Sequence, residues 1–159
     1  MRVCLQPRPN DGLGTMKLIS EKLGEIHYQE DEVIVFPEGL LGFPQERRYV
    51  FVNHREESPF KWLQCLDDPS LSFVVINPLL VKPDYRIEVD KKDLAVLKDV
   101  TAAQIAIWTL VSFSPDTPEE SSTNLVGPLA INHGTRLGKQ LVLDPEKYDL
   151  RYPISRKND

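Results

Sequence analysis

Cysteine is nearly missing from this chain: Cys4 and Cys65 are the only two in 159 residues. A disulfide framework has little to build on, and two reduced thiols suit a cytoplasmic protein. Cys65, between Gln64 and Leu66, reads as a small core side chain rather than a nucleophile. Histidine is as scarce. His27, His54 and His133 stand apart, none with a second His or Cys at ligand spacing, so no metal site is expected. No apolar run approaches the ~20 residues that a membrane helix requires. Prolines break Met1-Arg-Val-Cys-Leu-Gln-Pro-Arg-Pro9 before any signal pattern can form, so neither a membrane nor an export signal is expected.

Positive charge is also in short supply, with 19 basic residues against 24 acidic ones and a net charge of −5. Direct nucleic-acid binding is not expected, because it calls for clustered Lys and Arg. Lys61-Trp62 and Arg48-Tyr49 are isolated pairs, not a stacking platform in a basic groove. Catalytic patterns are missing too. No Gly-x-Ser-x-Gly elbow occurs, and Gly39-Leu-Leu-Gly42 and Gly134-Thr-Arg-Leu-Gly138 are too sparse for a phosphate cradle. Asp67 and Asp68 are adjacent, which points their carboxylates apart and suits a turn before Pro69. No catalytic residue and no cofactor is therefore expected. The alternative from another class is a small ligand-binding or hydrolytic β-barrel with its site near His133 or Asp67.

What the chain does have is β signal. Tyr85, Ile87 and Val89 alternate with Asp84, Arg86, Glu88 and Asp90, which predicts a half-buried strand. Ile105, Ile107, Thr109, Val111 and Phe113 share one face of the run from Gln104; Ala106, Trp108 and Leu110 share the other. That strand is expected to be buried on both sides. Further strands are expected over 17–20, 24–28, 32–36, 47–53, 61–66, 71–76, 124–131 and 139–143, with Pro44, Pro59, Pro69, Pro78, Pro83 and Pro145 between them. One short helix is predicted after Asp90, which would cap it, with Asp93 in its first turn and Leu94 and Leu97 on one face. Trp62, Phe73 and Trp108 are expected to fill the core. The fold class is all-β, mainly antiparallel: a small, closed or partly open barrel, since closure removes exposed edges. Residues 1–15 read as a mobile tail, 16–153 as one domain and 154–159 as a second tail.

Two segments stand out for fixed backbone shape. In Phe36-Pro-Glu-Gly-Leu-Leu-Gly-Phe43, Pro37 locks φ while Gly39 and Gly42 allow turns. Ser122-Thr-Asn-Leu-Val-Gly-Pro-Leu-Ala-Ile-Asn132 repeats the pairing with Gly127 and Pro128. These segments, with Pro59-Phe-Lys-Trp-Leu-Gln-Cys-Leu66, Leu71-Ser-Phe-Val-Val-Ile-Asn-Pro78, Lys139-Gln-Leu-Val-Leu143, Tyr148 and Arg151, resemble the flagellar assembly factor FliW family in order and spacing. The chain departs from the family pattern at Leu41, where proline is frequent, and at Gly127, where alanine is usual.

The resemblance implies a barrel-like β fold and a cytoplasmic binding protein without enzymatic activity. It implies two mutually exclusive partners, flagellin and the translational repressor CsrA, a small basic dimer. The protein would act as a CsrA antagonist and a flagellin chaperone, coupling flagellin synthesis to export. Candidate partner-binding residues are Phe36, Pro37, Glu38, Gly39, Leu40, Gly42 and Phe43, as a recognition turn or as a structural turn that buries Phe36 and Leu40. Asn124, Asn132 and Gln140 are candidates to donate interface hydrogen bonds or to tie loops to the backbone. The pairs Asp67–Asp68 and Glu119–Glu120 are candidates to steer a basic partner, or simply solvated surface.

Overall fold

The computed structural model, which describes residues 15–53, 57–98, 104–113, 116 and 120–154, has eleven strands among them. They are β1 (Met16–Ser20), β2 (Gly24–Tyr28), β3 (Ile34–Val35), β4 (Arg48–Asn53), β5 (Phe60–Cys65) and β6 (Ser72–Ile76). After these come β7 (Ile105–Ser112), β8 (Ser122–Thr123), β9 (Leu129–Asn132), β10 (Leu137–Gln140) and β11 (Tyr152–Pro153). Strands β4 to β7 form an antiparallel meander.

Strand β7 is long enough to serve two neighbours on one edge. Val111 and Ser112 pair with β8, and Ile105 to Trp108 pair with β9. Strand β9 pairs with β10, β10 meets β3 in parallel at Leu137 and Val35, and β3 pairs with β4. The hydrogen-bonded order therefore returns to its start, β7-β6-β5-β4-β3-β10-β9-β7, and the sheet closes on itself. Closure leaves few strand edges to manage. Strands β1 and β2 form a separate hairpin laid against this ring.

Inside the ring, Ile34, Phe36, Tyr49, Leu63, Cys65, Val75, Leu129 and Ile131 pack into one cluster. Phe36 and Tyr49 meet edge-to-face at 5.5 Å, and Trp108 and Phe73 press on the same cluster from its margin. Each aliphatic side chain buried this completely contributes about 1.5–3 kcal/mol. A second cluster, Tyr28, Val33, Val50 and Leu66, seats the hairpin. It is reinforced by the buried Ser20 Oγ, which donates to Gln64 Oε1 at 2.7 Å. A third holds Leu97, Ala130, Leu141 and Leu143 against Ile105, Ile107, Ile87 and Val89. Strand β7 thus has apolar neighbours on both faces, but the burial expected on both sides is only partial: Thr109 is fully buried, most of the strand is half-buried, and Phe113 just past its end is 48 % exposed. Trp62 is only half-buried.

Three expectations are corrected. Residues 84–90 alternate in burial as expected, with Tyr85 buried and Ile87 and Val89 half-buried, but they join no ladder. The segment packs through side chains, and alternation encodes faces rather than partners. Of the strand expected over 124–131 only the end forms, as part of β9; β8 stops at Thr123, and Leu125–Gly127 turn out of line between the two. The helix after Asp90 is a 3₁₀ helix, Lys91–Leu97, and the Asp90 side chain makes no capping hydrogen bond. Leu97 is fully buried there and Leu94 packs beside it, as their shared face requires. At the chain's end Ile154 is buried and its N–H donates to Ser121 O, which places it with the domain body.

Candidate functional site

The segment Phe36–Phe43 folds as two consecutive tight turns. Gly39 N–H donates to Phe36 O at 2.8 Å, closing the first. Leu40 and Phe43 then exchange backbone hydrogen bonds at 3.2 and 2.8 Å, with Leu41-Gly42 between them. Gly39 and Gly42 take φ of +70° and +87°, a region open to glycine at little cost. A Cβ at Gly39 would stand 2.5 Å from Phe43 O and 2.6 Å from Pro44 Cα, so the second turn lies directly on the first.

Phe36 and Leu40 point into the core, and Phe43 stacks edge-on against Phe73 at 5.4 Å. Between them Leu41 is turned out and 59 % exposed. Glu38 is also exposed, 4.0 Å from Lys139 Nζ. The segment is structural through Phe36, Leu40 and Phe43, and presents Glu38 and Leu41 to solvent.

Gln140 joins this turn to the second singled-out segment. Its Oε1 accepts from Leu41 N–H at 2.9 Å, and its Nε2 donates to Gly127 O at 2.9 Å. Gln140 is 8 % exposed; its bond to Gly127 O is buried, and its bond to the outward-turned Leu41 is partly so. Asn124 supports the far side: its Oδ1 accepts from Val126 N–H and Gly127 N–H at 2.9 and 3.0 Å. A Cβ at Gly127 would come within 2.9 Å of Gln140 Nε2, so glycine at this position leaves room for the amide. The Phe36–Phe43 turn, Gln140 and the Asn124–Pro128 turn form one clasped surface.

Asn132 lies elsewhere. It is fully buried at the other end of the β9–β10 pair, donates to Leu97 O and Lys98 O, and accepts from Gly134 and Thr135 N–H. That environment gives it a structural role.

The acidic candidates separate in the same way. Asp67 Oδ2 accepts from the backbone N–H of Arg47 and Arg48, and Oδ1 accepts from Arg48 Nε at 3.1 Å. Partial burial pushes its pKa up, but these donors and the Arg48 charge outweigh burial and hold it below the usual carboxylate value. Asp68 Oδ1 accepts from Ser70 Oγ and Ser70 N–H, which lowers its pKa as well and shapes the turn around Pro69. Glu119 lies outside the described residues, and Glu120 is exposed. Among the described residues, no group of three His, Cys, Asp or Glu is placed to hold a metal ion. No helix is long and apolar enough to cross a membrane, again among the described residues.

With this geometry in place, comparison with known proteins decides the family. A model of the FliW protein family matches residues 17–154. The chain belongs to the FliW family. It is 39 % identical over 142 residues to the flagellar assembly factor FliW of Caldanaerobacter subterraneus subsp. tengcongensis, covering 87 % of this chain and 93 % of that protein. A relative of the same name from Natranaerobius thermophilus is 38 % identical over 139 residues, covering 87 % and 92 %. A crystal structure of a flagellar assembly factor FliW superposes with a TM-score of 0.80 at 29 % identity, covering 88 % of this chain and 97 % of that one.

Sequence alone marks Leu41 of this FliW-family chain as a departure from the family pattern but not as a candidate site residue, although it is the exposed large apolar side chain of the Phe36–Phe43 turn. Its signal was present: a large apolar residue stands beside Gly42 at the tip of a tight turn, where connecting segments run over the surface.

Proposed function

We propose that this protein is a flagellar assembly factor that binds flagellin and CsrA in competition. Bound to flagellin, it leaves CsrA free to repress flagellin translation. Once flagellin is exported, it captures CsrA and relieves the repression. The switch needs two ligands whose binding excludes one another, and mass action supplies the rest. It calls for no catalytic group and takes place in the cytoplasm, where flagellin awaits export.

The observation that carries this reading is membership in a family matched across residues 17–154, whose relatives are named for flagellar assembly rather than for a reaction. A clasped surface with an outward leucine, on an acidic chain, is suited to protein partners. Mixing the purified protein with CsrA and with flagellin on a sizing column tests it. Co-elution with each partner separately is expected, and co-elution with neither would reject the reading.

A further inference from the structure

Chain geometry just beyond Gln140 creates a second surface. Leu141 N–H donates to Pro128 O and Leu143 N–H to Val126 O, so the chain runs along the turn that Gln140 clasps. Val142, between them, is left 69 % exposed. Opposite lies the segment 87–94, which joins no ladder and is held instead by side chains. Tyr148 Oη donates to Arg86 O at 2.6 Å, and Tyr85 Oη donates to Leu125 O at 2.8 Å. The two segments bound an open trough of about 750 Å³.

Its lining has two parts. Ile87, Val89, Leu94 and Val142 supply apolar surface, while Glu88, Asp90, Asp93 and Asp144 supply carboxylates against a single base, Lys147. Four acids to one base on so small a lining exceeds the chain-wide ratio of 24 to 19 by a wide margin. Such a trough is too open to enclose most of a small ligand's surface, as a small-molecule pocket does. Apolar surface flanked by one sign of charge fits a segment that is apolar on one side and oppositely charged on the other.

We propose that the trough between 87–94 and 142–148 is the docking surface for a basic, amphipathic segment of a protein partner. The inference rests on the reading above in taking the basic partner to be CsrA. The trough and the clasped turn are joined by the short run Gln140–Val142. Occupying the trough therefore loads the same stretch of chain that positions Leu41.

The test uses the full chain and two probes: a synthetic amphipathic Leu/Lys peptide with a Leu/Glu peptide as control, and CsrA itself. The variants are Glu88→Lys with Asp90→Lys, Val142→Ser, and Leu80→Ser as an exposed control outside the trough. Circular dichroism confirms that each folds. In amide NMR spectra the Leu/Lys peptide is expected to shift signals within 87–94 and 142–148, and the Leu/Glu peptide is not.

Reversing two rim charges is expected to weaken binding of the peptide and of CsrA by roughly tenfold, with a flatter salt dependence, because exposed ion pairs and steering both act there. Val142→Ser is expected to weaken both by a few-fold and Leu80→Ser neither. Shifts spread elsewhere, equal response to the two peptides, or wild-type CsrA affinity in the folded charge-reversal variant would overturn the proposal. If the peptide maps to the trough while CsrA fails to bind even the unaltered protein, the partner assignment falls and the docking surface stands.

Discussion

Gln140 Oε1 accepts a hydrogen bond at 2.9 Å from the N–H of Leu41, a residue 99 positions earlier in the chain. Through its other amide atom the same side chain holds Gly127 O. One buried amide thus joins two of the segments that carry the family resemblance.

Replacing Gln140 by leucine keeps the size and removes both bonds, taking the donor from the buried Gly127 carbonyl and the acceptor from the part-buried Leu41 N–H. Each such group costs about 1–3 kcal/mol. Gln140→Leu is therefore expected to lower thermal stability by several degrees and to broaden the amide signals of Leu41 and Gly127. An unchanged melting temperature would show that the clasp is not a stabilising feature.

The two turn glycines should respond differently to alanine. At Gly42 an added Cβ meets nothing within 4 Å, so Gly42→Ala is expected to cost only the left-handed backbone penalty of about 1–2 kcal/mol. At Gly39 the same penalty is joined by collision with Phe43 O and Pro44 Cα. Gly39→Ala is expected to be clearly the more destabilising in urea titrations. Equal effects would argue that the second turn relaxes freely.

Gly138 of β10 lies against Phe36, whose ring a Cβ would meet at 2.6 Å. Overpacking of this kind costs about 1–3 kcal/mol. Phe36→Leu in the same chain is expected to recover part of the loss from Gly138→Ala, and the double-mutant cycle measures the coupling. Strict additivity would mean that the ring is not the obstacle.

Asp67 makes stability depend on pH. Its carboxyl is held below its unfolded value by Arg47 and Arg48, so its contribution is fully present above the unfolded pKa, near 4. That contribution fades as pH falls from the unfolded pKa through the lower folded one. Asp67→Asn is expected to be less stable at neutral pH and to show a shallower loss below pH ~4 than the parent. Parallel acid-unfolding profiles would contradict the assignment.

Much of this architecture was legible in the sequence because burial alternates locally. The faces of β7 and the turns at Gly39 and Gly42 follow from residue type alone. Ring closure was legible only as a class. Its decisive step, one edge of β7 serving both β8 and β9, depends on pairing across long chain separations. Residues 84–90 show the limit well: Tyr85, Ile87 and Val89 face inward as their period demands, yet pair with no strand. For the candidate site, Phe36–Phe43 could be read from its glycines, while Gln140 could only be nominated. Which backbone groups a buried amide reaches is decided by the tertiary fold, and Asn132, the same kind of nominee, was directed to Leu97 and Lys98 instead.

The central claim is competition between two partners for one protein. It is tested most directly by titrating flagellin into a preformed complex with labelled CsrA while following both label anisotropy and complex mass by light scattering. The account expects CsrA to be released in step with formation of the flagellin complex, with no species containing all three proteins. A stable ternary complex, or retention of CsrA at saturating flagellin, would contradict it.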